Sequence, residues 1–121
     1  MNFDYELKDV QELALGIKIK PNPLIKGDYA PLELCLTEDV RDYDFILSLI
    51  DEVMNCNKTA DSYGGDITDA RFDKDETVVS YEESVISDPA KCTLPTWLFR
   101  EIVEVWLKEA KKHFKETHKD D

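Results

Sequence analysis

The chain has only two histidines, His113 and His118, and both lie among lysines near its C-terminal end. A catalytic nucleophile needs a base within hydrogen-bond reach, most often histidine, and nothing beside these two suggests one. The three cysteines, Cys35, Cys56 and Cys92, are odd in number and widely spaced. No C-x-x-C spacing occurs, which argues against a zinc site, and so scattered a set fits reduced thiols better than a disulfide framework. Cys92 stands ahead of an expected helix start, where a thiolate can be stabilised, but no acid–base partner accompanies it. Only four glycines are present, and Gly64-Gly65 is no phosphate loop. No apolar run approaches the roughly 18 residues of a membrane span. The segment Met1-Asn2-Phe3-Asp4-Tyr5-Glu6 lacks the basic and apolar regions of a signal peptide. These absences predict a cytoplasmic protein that is not an enzyme and needs neither cofactor nor metal.

Positive charge is also scarce. Fifteen Lys/Arg face 27 Asp/Glu, a formal net charge of −12. All of the excess lies in residues 1–92, with 21 acidic against 9 basic side chains; residues 93–121 hold six of each. Phosphate backbones are repelled by such a chain, so direct nucleic-acid binding is disfavoured. The one basic run, Lys108, Lys111, Lys112, Lys115 and Lys119, has helical spacing and reads as a solvated helix face complementing the C-terminal end of the dipole. With 42% hydrophobic residues, the 121-residue chain carries enough apolar content for one folded domain rather than a disordered acidic tail.

Alternation at Phe3, Tyr5 and Leu7, and again at Leu13, Leu15, Ile17 and Ile19, predicts one or two strands. Pro21, Pro23 and Gly27 punctuate a loop. Leu32, Leu34 and Leu36 alternate, predicting a strand antiparallel to residues 13–20. Residues 42–54 predict an amphipathic helix, with Phe45/Ile46, Leu49/Ile50 and Val53/Met54 on its apolar face and acids in its first turn. Residues 55–65 read as a polar surface loop. Residues 67–72 and 77–81 predict a hairpin about the turn 73–76. Pro89 and Pro95 bracket a connection, and residues 97–115 predict a long helix started by Pro95, with Thr93 or Thr96 as cap. The expected fold is α+β: an antiparallel sheet of about 4–5 strands with two main helices packed on one face.

The acids concentrate in two places. One is Glu38, Asp39, Asp42 and Asp44 around Tyr43; the other is Asp66, Asp69, Asp73, Asp75, Glu76, Glu82 and Glu83, near Tyr63 and Tyr81. A calcium loop is excluded: an EF-hand begun at Asp73 needs glycine at 78 and glutamate at 84, where Val78 and Ser84 stand. Acids interleaved with tyrosine suit a protein-binding surface, since charge steers encounter and the ring supplies contact area.

The 14.0 kDa size and the acidic α+β body accompany a distinctive ending, Ser84-Val85-Ile86-Ser87 and then Cys92-Thr93-Leu94-Pro95-Thr96-Trp97-Leu98-Phe99-Arg100-Glu101-Ile102-Val103-Glu104-Val105-Trp106-Leu107. In these features the chain resembles the small acidic immunity proteins of bacterial polymorphic-toxin and contact-dependent growth inhibition systems. The likeness covers roughly the last 55 residues, and it carries no binding residue over position by position, because each immunity protein is matched to its own toxin. It implies a monomer that binds a cognate basic toxin domain, such as a nuclease, in a 1:1 complex and occludes its active site or substrate groove. An acidic adaptor or regulatory subunit without a toxin partner is the alternative. An enzyme would have to work through Cys92, His113 and His118.

Overall fold

The computed structural model describes residues 3–11, 14–39, 42–81 and 90–117. Two strands, β1 (Tyr5–Gln11) and β2 (Ala14–Ile19), pair antiparallel as a separate two-stranded sheet. After them come β3 (Lys26–Gly27), α1 (Ala30–Leu34), a π-helical turn (Cys35–Asp39) and α2 (Tyr43–Met54). The strands β4 (Ala60–Gly64), β5 (Thr68–Asp73), β6 (Glu76–Tyr81) and β7 (Lys91–Pro95) lead into the long α3 (Thr96–Thr117). The main sheet is antiparallel, in the order β3-β7-β6-β5-β4. The predicted α+β class holds, with five strands in the sheet that the helices cover.

Period-two alternation sorts the sheet into two faces. Thr68, Ala70, Phe72, Thr77, Val79, Cys92 and Leu94 are buried, whereas Asp73 and Glu76 are exposed and Asp69 and Val78 only partly covered. Against the buried face lies the apolar side of α3: Leu98, Phe99, Ile102, Val103 and Trp106, spaced so that one helical stripe reaches the core. The Phe72 and Phe99 rings lie 6.2 Å apart. From α2 come Ile46, Ile50 and Val53. The two helices are tied at the rim by Arg100, whose Nε donates to Asp51 at 2.6 Å and Nη1 to Glu104 at 2.9 Å. Of the two tryptophans only Trp106 fills the core; Trp97 is 43% exposed.

Three sequence expectations are corrected. Residues 32–36 form helix and π-turn, not a strand. Leu32, Cys35, Leu36 and Asp39 are the buried positions, a 3–4 spacing that competes with the Leu32/Leu34/Leu36 alternation. The start signals decide it: Asp28 accepts the Ala30 N–H at 2.9 Å, and Pro31 occupies the first helical turn where its missing N–H does no harm. Second, the polar segment 55–65 contains β4, which is polar because it is an edge strand. Third, the connection after Pro89 contains β7, whose Cys92 and Leu94 point into the core, and Pro95 ends that strand instead of starting the helix. The 42–54 helix, the hairpin and the long last helix are found as expected, within a residue or two.

Gly27 has φ +91°, and a Cβ there would collide with the Lys91 carbonyl, so β3 can pair with β7 only through glycine. Helix α2 closes with a Schellman pattern: Cys56 N–H donates to Val53 O at 3.1 Å and Asn57 N–H to Glu52 O at 2.9 Å. The residue in the left-handed conformation is Cys56, at φ 63°, where a side chain is disfavoured. Cys56→Gly is therefore expected to raise the unfolding free energy by about 0.5–1 kcal/mol, read from the urea midpoint. An unchanged or lower midpoint would show that the left-handed turn carries no strain.

Candidate protein-binding surface

The site is organised by a carboxylate that does not face solvent. Asp39, at the end of the π-turn, is 7% exposed. Its Oδ2 accepts the Thr68 N–H and the Thr68 hydroxyl, each at 2.6 Å, and both carboxylate oxygens lie 3.2 Å from the Ile67 nitrogen. These donors belong to the tight turn between β4 and β5, closed by Gly65 N–H on Thr68 O at 2.9 Å. A Cβ on Gly65 would strike the Asp39 carboxyl, so glycine lets the carboxylate approach the turn. Asp39 was expected on the acidic surface; burial and these hydrogen bonds remove it from there and make it a staple between helix and sheet. The neighbouring Cys35 thiol is pushed up to about 12, mainly by burial.

That staple brings the first turn of α2 beside the β4–β5 turn. Asp42 is extended, at φ −124° and ψ 95°, and its side chain caps the helix by accepting the Phe45 N–H at 3.0 Å. Asp44 follows in the first turn, where the dipole favours an acid. Phe45 was expected among the apolar contacts of the helix, yet it is 52% exposed. Its ring stands 6.5 Å from that of Tyr63, tilted by 59°, and the Tyr63 hydroxyl donates to the Asp39 carbonyl at 3.5 Å. At the start of the same helix Asp42 and Asp44 are exposed, Asp66 is exposed in the β4–β5 turn, and Glu38 is half-buried. Tyr43 is the first residue of α2.

The second expected cluster does not stay together. Asp66 and Asp69 are at the Asp39 end of β5. Asp73, Asp75 and Glu76 form the turn at its other end, about 13 Å away at the rise of a strand. Asp69 is paired with Arg71 at 2.7 Å. Asp73 Oδ1 accepts the N–H groups of Asp75 and Glu76, both at 2.8 Å, and these donors, that of Glu76 foremost, hold its carboxyl below its ordinary value. Thr96, at the head of α3, donates its hydroxyl to the Asp73 carbonyl at 2.6 Å, which sets exposed Trp97 next in sequence to a residue docked on this acidic turn. Tyr81 is half-buried, opposite Thr68 in the ladder. Glu82 and Glu83 lie outside the described residues.

Cys92 sits inside β7, buried, with its thiol pushed up to about 12 by burial and by the Asp28 and Glu33 carboxylates, which is no setting for a thiolate. His113 falls within α3, and His118 lies outside the described residues. Among the described residues, no group of three His, Cys, Asp or Glu side chains could hold a metal ion, and no helix is long and apolar enough to cross a membrane. No protein-family model, curated protein or solved structure matches this chain. The surface stands on its own chemistry: exposed Phe45 against half-buried Tyr63, with exposed carboxylates at the helix start and in the β4–β5 turn.

Sequence periodicity missed Phe45 because it neighbours Ile46 and so falls close to the buried stripe. Its tell is the run Asp42-Tyr43-Asp44-Phe45, two aromatics interleaved with acids.

Asp39→Ala is expected to lower the unfolding free energy by about 3 kcal/mol, because it leaves the Thr68 and Ile67 N–H groups without their acceptor. Gly65→Ala should destabilise by roughly 1–3 kcal/mol through overpacking against the same carboxyl. Urea denaturation measures both, and wild-type midpoints would mean that the staple does not hold the turn. For Asp73 the sign runs toward acid. A carboxyl lowered on folding stabilises above its unfolded value, near 3.9, and that contribution disappears as pH falls through the folded value. The Asp73 carboxyl resonance should titrate below the ordinary aspartate range; titration at or above it would mean the two backbone donors are not engaged in solution.

Proposed function

We propose that this chain is an immunity protein, one that binds a cognate basic toxin domain of the nuclease type and neutralises it by covering its active site or substrate groove. The observation that carries the reading is exposed Phe45 against half-buried Tyr63, with exposed Asp42 and Asp44 at the start of the same helix and exposed Asp66 in the β4–β5 turn. Aromatic side chains dominate the energy of protein interfaces when water is excluded around them. A ring of like charge selects a partner of the opposite sign and accelerates encounter, the more so at low salt. A nuclease groove, lined with cations for its phosphate substrate, presents the complementary surface. A carboxylate-rich protein lying in that groove takes the place of the nucleic-acid backbone.

The overall charge supports the same reading. Twelve excess negative charges repel one another in a small domain, which a binder of a basic partner uses and a self-sufficient fold does not need. The hairpin turn with Asp73, Asp75 and Glu76, beside exposed Trp97, extends the acidic field to the far end of the sheet.

The test is to search for a basic toxin gene beside this chain's own and to co-express the two, scored by growth and by a pull-down. Restored growth with a 1:1 complex is expected; no binding to that toxin would sink the reading, and binding without protection would describe an adaptor instead. Within the complex, Asp42→Asn, Asp44→Asn and Asp66→Asn together should slow association severalfold and flatten its salt dependence, with little loss of stability because asparagine also caps helices well. Phe45→Ala should accelerate dissociation by roughly 30-fold, the size of a 2 kcal/mol hot spot. If the triple substitution at Asp73, Asp75 and Glu76 has the larger effect on association, the contact lies at the other end of the sheet.

A further inference from the structure

The edge of the main sheet supplies a second kind of binding group, the backbone itself. Gly65 and Thr68 form a hydrogen-bonded pair at the turn, and the β4–β5 register runs Gly64↔Asp69, Tyr63↔Ala70, Ser62↔Arg71, Asp61↔Phe72, Ala60↔Asp73. In an antiparallel ladder hydrogen-bonded and non-hydrogen-bonded pairs alternate. Asp61, Tyr63 and Gly65 therefore point their backbone groups at β5, and Ala60, Ser62 and Gly64 point theirs away from the sheet. Among the described residues no strand pairs with that side. Such an edge is a template for another chain unless it is guarded.

The guards are few. The outward-facing positions are Ala60, Ser62 and Gly64, small, uncharged and exposed, with no proline or lysine among them. The exception is Asp61, whose Oδ1 accepts the neighbouring Ser62 N–H at 2.8 Å while its Oδ2 accepts Lys58 Nζ at 3.1 Å. The carboxylate thus occupies one edge donor, and an internal lysine occupies the carboxylate. An incoming strand must take over that N–H with a carbonyl, and it does so most readily if it also brings a cation for Asp61.

We propose that the β4 edge, at Ala60, Ser62 and Gly64, is the site where an extended, basic segment of the protein partner adds as a further antiparallel strand. This deepens the immunity reading, on which it rests for the identity of the partner, by naming the mode of contact. Charge complementarity chooses the occupant. Asp61, Asp66, Asp69 and Asp73 all lie on β4, on β5 or in the turn between them, so a second copy of this chain would set acid against acid. On the open face a basic strand meets Asp69 and Asp73, which stand opposite Gly64 and Ala60 in the register with Arg71 between them, while Asp61 shares the helix side with Tyr63. The same alternation suits the other face of the added strand. On the helix side Tyr63 and half-exposed Phe45 stand together, and apolar residues of the newcomer would pack there with one cation beside Asp61, while its other lysines or arginines face the open side. Backbone pairing then provides affinity, and the alternating pockets provide selectivity.

The probe is a short synthetic peptide of alternating lysine and valine, added to the isolated protein and followed by amide hydrogen exchange. Exchange at Ser62 and Gly64 should slow by roughly tenfold or more, with no comparable change in the β5–β6 ladder. The same peptide N-methylated at alternate amides should give no protection, and neither should its glutamate counterpart. Ser62→Pro removes the edge donor without touching the β5 ladder, because proline is tolerated where a strand's N–H faces outward. That variant should keep its thermal melting and lose the peptide. Equal protection by the N-methylated or the acidic peptide, or peptide binding that leaves Ser62 and Gly64 unprotected, overturns the proposal. So does protection that grows with protein concentration in the absence of peptide, which would assign the edge to a second copy. Should Ser62→Pro fail to fold, the N-methylated peptide on the wild-type protein decides alone. A toxin neutralised equally well by folded Ser62→Pro overturns the edge pairing and leaves the immunity reading standing, whereas edge protection by the peptide with no toxin bound overturns the immunity reading only.

Discussion

A buried carboxylate needs hydrogen-bond donors to replace the water it loses, and Asp39 is matched by the Thr68 N–H and hydroxyl and the Ile67 N–H. The rest of the structure depends on that match. It fixes the end of the π-turn onto the β4–β5 turn, requires glycine at position 65, and sets where α2 begins. The π-turn is held on its other side by Trp106, whose indole Nε1 donates to the Leu36 carbonyl at 2.8 Å. One short irregular turn therefore accepts an indole N–H from α3 at its carbonyl and sets a carboxylate against the sheet, and the two helices take their places over the buried face around it. π-turns are uncommon and costly compared with regular helix, and here the side chains at both ends account for its persistence.

The surface follows from that placement. Because α2 starts beside the β4–β5 turn, its cap Asp42 and first-turn Asp44 lie at the same end of the sheet as Asp66, and Phe45 is carried out toward Tyr63. Acids that are more than twenty residues apart in the chain come to one end of the sheet, while Asp69 and Asp73, close in sequence, are spread along one strand. An acidic rim around an aromatic pair and an open strand edge beside it are features a protein partner can use together: the charge brings a basic chain near, the rings give it something to bury, and the edge gives its backbone a ladder.

Much of the fold was legible along the chain wherever one face of an element is dry and the other wet. Ile46, Ile50 and Val53 in α2, Leu98 to Trp106 in α3 and the 67–81 hairpin all show it and stand as expected, with Phe45 the exception. The strand β4 was not legible, because an edge strand with polar residues on both faces has no period to detect. Residues 32–36 misled for the opposite reason: leucine at every second position satisfies a strand, while Leu32, Cys35 and Leu36 satisfy a helix, and the local start at Asp28 and Pro31 tips the choice.

For the candidate surface the division is similar. Composition and order alone determined the acidic excess, its absence from the last helix, and the interleaving of Asp42, Asp44 and Asp66 with aromatic residues at no great distance. Only the tertiary structure decided that Asp39 leaves that surface and that Phe45 joins it. The reason is that exposure belongs to a residue's surroundings and not to its type. A carboxylate becomes an internal staple when a tight turn supplies its donors, and a phenylalanine becomes a contact when it stands one position off the buried stripe of its helix.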